Sequence, residues 1–91
     1  MLTVENTITI TAEFDNRYIN QMVDTLSKKT SSSIYITKDS SRQIAMKSMI
    51  GLLSGGFKQG DEVKLTVIGD NENNVNRDMK IAAELLTGEH D

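Results

Sequence analysis

Four short segments of this chain are each apolar on one side only, and that restricts the fold more than any other feature. Leu2, Val4, Ile8, Ile10 and Ala12 alternate with polar residues, Asn6 being the single lapse, which predicts a strand over roughly residues 2–11. Ile34 and Ile36 alternate in a second segment, Ile44 and Met46 in a third, and Val63, Leu65 and Val67 in a fourth. A strand with one apolar face needs only one covered side. The expected solution is a single, largely antiparallel sheet with helices on one face and water on the other.

The intervening segments supply the helices. After the polar turn EFDNRY, Ile19, Met22, Val23 and Leu26 repeat at helical spacing. Asp15 or Asn16 is placed to cap that helix, and Lys28 and Lys29 suit its end. The run TSSS is a loop and KDSS a tight turn, so residues 33–46 read as a hairpin. A short helix is expected over residues 49–54, followed by the loop GGFKQGDE. Gly69-Asp70 ends the fourth strand. Val75, Met79, Ala82 and Leu86 mark a last helix, with Gly88 as its stop signal. The expected order is strand, helix, strand, strand, helix, strand, helix.

Composition removes several function classes. The chain has 91 residues, a formal net charge of -3, 37% apolar and 25% charged residues, and no proline or cysteine. One folded domain over residues 1–91 is expected, with a modest core. Without cysteine there is no disulfide framework, thiolate nucleophile or cysteine zinc site. No apolar run approaches the roughly 20 residues of a membrane span. The opening MLTVENTITI lacks the pattern of a signal peptide, so a cytoplasmic location is expected. The acidic balance argues against direct nucleic-acid binding. No metal, cofactor or catalytic residue is expected. The single histidine, His90, reads as a solvated tail residue, so no Ser-His-Asp triad is assembled. Glu13, Asp15, Asp61, Glu62, Asp70, Glu72 and Asp78 read as capping and solubilising carboxylates. SGGFKQGDE lacks the lysine-serine pair of a phosphate-binding glycine loop.

The stretch KSMIGLLSGG, Lys47 to Gly56, carries the strongest functional signal. Ser48 precedes an apolar run and fits a helix N-cap. Met49, Ile50, Leu52 and Leu53 span more than half the circumference of a helix under two turns long. Leu52 can point inward, whereas Met49, Ile50 and Leu53 cannot all follow it, and exposed apolar patches on small domains often mark partner sites. The competing expectation is that the loop through Phe57 covers them. Gly51 weakens the helix by roughly 1 kcal/mol relative to alanine. A serine at such a helix start is also modifiable, and a phosphate there would meet free N–H groups.

The stretch AMKSMIGLLSGGFKQGDEVKLTVIG, Ala45 to Gly69, resembles the phosphocarrier protein HPr family of the bacterial sugar phosphotransferase system. The matching pattern is Lys47, Ser48, Met49-Ile50, Gly51, Leu52-Leu53 and Ser54, then Gly60, Val63, Leu65, Val67 and Gly69. The resemblance implies an α+β open-faced β-sandwich of order β-α-β-β-α-β-α, and it makes Ser48 the family's regulatory serine. The family's phosphoryl-carrying motif, glycine, apolar residue, histidine, alanine, arginine, proline, falls elsewhere. Laid on TAEFDNRYINQM, its glycine falls on Asp15, its histidine on Arg17, its arginine on Ile19 and its proline on Asn20. Imidazole is nucleophilic near neutral pH and forms a phosphoramidate, and arginine does not.

The expectation is therefore a regulatory, non-enzymatic HPr-like protein without histidine phosphocarrier activity. Ser48 would be phosphorylated by a serine kinase, and a patch of Arg17, Lys47, Met49, Ile50 and Leu53 would bind a protein such as a transcriptional regulator. A monomer or weak homodimer is expected. The alternatives are a phosphocarrier of the same system, or an unrelated binding module on a similar sheet.

Overall fold

The computed structural model describes residues 1–39 and 42–89. Ser40 and Ser41 of the expected KDSS turn, and His90, lie outside the described residues. The elements are β1 (Leu2–Thr9), α1 (Asn16–Lys29), β2 (Ser33–Lys38), β3 (Ile44–Ala45), α2 (Met49–Ser54), β4 (Glu62–Gly69) and α3 (Glu72–Thr87). Among the described residues the strands form one open sheet in the order β1-β4-β2-β3, with every neighbouring pair antiparallel.

The register brings the apolar positions together. Val4 lies opposite Val67, which lies opposite Ile34, and Leu65 lies opposite Ile36. Their face joins the core with Ile10, Met22, Leu26, Met46 and Leu86, all fully buried. On the other face Glu5, Thr66 and Tyr35 form one row across three strands. Thr66 is buried in the middle of that row although its face carries no helix. The helices stack on the apolar side: α3 against β1 and β4, α2 against β3, and α1 against α2 and α3.

The three helices begin on short polar side chains. Asp15, not Asn16, caps α1 by accepting from the Tyr18 N–H at 2.8 Å. Ser48 caps α2 and Asn71 caps α3. Each cap satisfies a backbone donor that has no partner within its helix. Gly88 ends α3 at φ 73°, a left-handed conformation that costs glycine little.

Two strands are shorter than their alternation suggests. β1 stops at Thr9 because Thr11 and Ala12 turn their N–H groups to the Leu86 carbonyl (3.1 and 3.2 Å) at the end of α3. β3 is two residues long. Met46 still donates to the Ile34 carbonyl at 2.8 Å, but the Ser48 N–H then bonds back to Ala45 O (3.1 Å), and this turn feeds α2.

Candidate functional site

Local geometry around α2 follows from its sequence. Ser48, half-buried, accepts from the Gly51 N–H at 3.1 Å through Oγ. Gly51 is small for a steric reason as well: a Cβ there would lie 3.0 Å from Ile44 Cγ2 and 3.1 Å from Ser48 Oγ. The close passage of α2 over Ile44 therefore favours a residue without a side chain. At the other end Gly56 takes φ 71° and turns the chain out of the helix.

The six-residue helix buries Leu52 to 1% exposure and leaves Ile50 at 82% and Leu53 at 44%. Met49 is half-buried and packs against the core, so of the three expected patch residues it faces outward least. Phe57 does not cover Ile50. It joins the core itself, with Lys38 Nζ 5.7 Å from its ring centroid. Lys47 is half-buried and its amine donates to the Ser32 carbonyl at 2.9 Å. It secures the segment entering α2 and is thus partly withdrawn from any surface patch.

At the start of α1, Arg17 and Asn20 are exposed, and Ile19 is a core residue at 3% exposure. Asp15 Oδ1 is engaged as the helix cap. Helices α1 and α2 are in contact, which places the Arg17 end and the Ser48 helix in one part of the molecule. Arg17 forms no ion pair and no hydrogen bond among the described residues, so no side-chain link joins it to Ser48. Tyr18 beside it donates from its hydroxyl to Leu85 O (2.5 Å) and packs 6.3 Å from Phe14. Burial raises the pKa of that phenol.

Two carboxylates expected to serve capping and solubility hold longer-range contacts as well. Asp61 accepts from the Lys58 N–H (2.9 Å) and pairs with Lys38 (3.1 Å), whose amine also reaches Gly56 O (3.0 Å). These bonds pin the loop between α2 and β4. Burial pushes the Asp61 pKa up, but the Lys58 N–H and the Lys38 ammonium outweigh it and hold the group below its ordinary value. Asp78 is fully buried. It accepts from the N–H groups of Ser31 (3.0 Å) and Ser32 (2.8 Å) and pairs with Arg77 (2.9 Å). Burial raises its pKa, and the donors from Ser32, Arg77 and Ser31 more than offset that, so it too lies below its ordinary value.

A signal for Asp78 was present. It stands three residues after Val75 and one before Met79, on the apolar stripe of α3, where a charge must find donors. For Asp61 only the turn bond from Lys58, three positions away, is local, and its ion-pair partner Lys38 is 23 positions away.

Beside α2 a depression of about 400 Å³ is lined by Lys38, Arg42, Ile44, Ser54, Gly55 and Phe57. Among the described residues no cluster of histidine, cysteine or carboxylate groups suits a metal ion. Among the described residues no helix is long and apolar enough to cross a membrane.

The family model described as "PTS HPr component phosphorylation site" matches residues 2–84. The chain belongs to the HPr family. An HPr-C-His structure from Thermoanaerobacter tengcongensis is similar at 32% identity and TM-score 0.66, covering 99% of each chain. A phosphocarrier protein HPr from Bacillus anthracis str. Ames is similar at TM-score 0.80 and 17% identity, over 93% of this chain and 98% of that one. A histidine-containing phosphocarrier protein from Mycoplasma has TM-score 0.76 and 18% identity, covering 93% of each chain. The last two likenesses speak for the fold alone. No curated protein matches. The HPr fold expected from the order of elements, an open antiparallel sheet with three helices, is the fold observed.

Proposed function

We propose that this HPr-family member is a regulatory protein of the phosphotransferase system that acts by binding other proteins in the cytoplasm, as a single domain and without histidine phosphocarrier activity. The observation that carries this reading is the contrast between its two candidate sites. The start of α1 presents Arg17, and the chain's only histidine is His90. The start of α2 keeps the serine, and beside it stand the exposed Ile50 and Leu53. In this reading a serine kinase phosphorylates Ser48. The added dianion beside an apolar surface favours an arginine-bearing partner and repels an acidic one. Ile50 and Leu53 form the centre of the docking surface, Met49 its inner margin, and Arg17 its edge toward α1.

A second reading, a working phosphocarrier, is favoured by the phosphorylation-site description of the matching family model. Incubation with enzyme I and labelled phosphoenolpyruvate separates the two. The regulatory reading expects no acid-labile label on the chain, and stoichiometric label overturns it. Incubation with the serine kinase and ATP is expected to label Ser48, with Ser48→Ala unlabelled.

A further inference from the structure

β1 is the outer strand of the sheet, and among the described residues no strand pairs with its far edge. Ile10, just beyond it, turns both backbone groups inward: its N–H donates to Asp61 O (2.8 Å) and its carbonyl accepts from the Gly60 N–H (2.7 Å). Backbone direction alternates along an antiparallel strand. Leu2, Val4, Asn6 and Ile8 therefore face β4, while Thr3, Glu5, Thr7 and Thr9 direct their N–H and C=O groups outward. The strand is eight residues long, its register with β4 is unbroken, and it holds no proline, lysine or bulge. Proteins ordinarily block such an edge.

We propose that this edge pairs with β1 of a second copy of the chain, antiparallel, about a two-fold axis through Asn6. Side-chain matching selects that register. An axis through Glu5 would set two carboxylates directly opposite one another, and an axis through Thr7 would set Asn6 against Ile8. An axis through Asn6 sets Val4 of each copy against Ile8 of the other and continues the apolar face. The two Asn6 amides then meet at a position without direct backbone bonds, where opposed side chains approach most closely. The one lapse in the alternation of β1 thereby falls where an amide can bond to its own copy.

Charge matching agrees. Lys64 lies opposite Thr7, is exposed, and has no ion pair among the described residues. In the proposed register Glu5 of the second copy lies on the other side of Thr7 in the same cross-strand row. The Lys64 amine reaches that carboxylate over the small threonine, and symmetry repeats the contact. A hollow of about 270 Å³ lined by Glu5, Asn6, Thr7 and Lys64 already occupies this place. Within one copy, Glu5 accepts only a long 3.5 Å bond from Thr66 among the described residues. Glu5 alone would guard the edge, and Lys64 of a second copy answers it.

Sedimentation velocity of the full chain from about 10 μM to about 1 mM tests the proposal. The wild type is expected to shift toward a dimer with concentration. Glu5→Lys and Lys64→Glu are each expected to weaken association about tenfold or more, and the double exchange to restore it. Hydrogen exchange on the wild type is expected to slow with concentration at the N–H groups of Thr3, Glu5, Thr7 and Thr9, which keeps the test decisive if a variant fails to fold. A chain that stays monomeric throughout overturns the proposal. So does a dimer that is indifferent to the charge exchanges and protected elsewhere.

Discussion

Helices α2 and α3 start alike and end differently. Each begins on a short polar cap, Ser48 or Asn71. α3 then runs sixteen residues and buries Val75, Asp78, Met79, Ala82, Leu85 and Leu86. α2 runs six, buries Leu52, and leaves Ile50 and Leu53 in water. An isolated helix shorter than about 12–15 residues is marginal in water, so α2 persists because Leu52 and Met49 hold it to the core. The comparison separates two uses of apolar side chains. Those of α3 are consumed by the fold, and those of α2 exceed what the fold can bury. Surplus of that kind is available to a partner.

Breaking the α3 side should cost most. Asp78→Ala leaves the N–H of buried Ser32 and the part-buried N–H of Ser31 without their acceptor, and a loss of about 2–4 kcal/mol is expected. For a domain of this size that lowers the melting temperature by roughly 10–20 °C, read by calorimetry. The pH dependence follows from the same group. The folded pKa of Asp78 lies below its ordinary value of 3.8, so its contribution is complete above that value and is lost as pH falls through the folded one. Stability should therefore fall on acidification below about pH 4, and Asp78→Ala should flatten that fall. An unchanged acid limb would assign the acid sensitivity to other carboxylates, with Asp61 next.

The α2 side should respond more weakly in stability. Ser48→Ala removes one cap and is expected to cost about 1 kcal/mol. A much larger loss would mean that Ser48 supports more than its helix. Smallest of all, Ile50→Ser and Leu53→Ser should change stability by about 0.5 kcal/mol or less, while, under the proposed regulatory reading, abolishing or strongly weakening binding of a protein partner at α2. Partner binding untouched by both substitutions would move the docking surface away from α2.

Most of the sheet and both long helices were legible because period-2 and period-3.6 alternation are local records of which side is buried. The caps at Ser48 and Gly88 were legible for the same reason, since a cap bonds to residues three or four positions away. Strand ends were less so. Nothing local says that Thr11 and Ala12 leave the sheet to meet Leu86, or that Met46 keeps one strand bond while Ser48 turns back to Ala45. The candidate site divides in the same way. The excess of apolar residues around Leu52 could be counted along the chain, whereas the tethering of Lys47 to Ser32 and the half-burial of Met49 depend on elements distant in sequence.

By itself, the sequence determined the order of elements, the single apolar face of each strand, the cap at Ser48 and the place of Arg17 at the start of the first helix. All of these depend on residue identity within a few positions. Tertiary structure decided what each charge and each surplus apolar group meets. Asp78 became a buried acceptor and Asp61 a half-buried one, Phe57 entered the core instead of shielding Ile50, and β1 became the edge of the sheet. Those outcomes depend on β4 inserting between β1 and β2, a long-range pairing that no local spacing encodes.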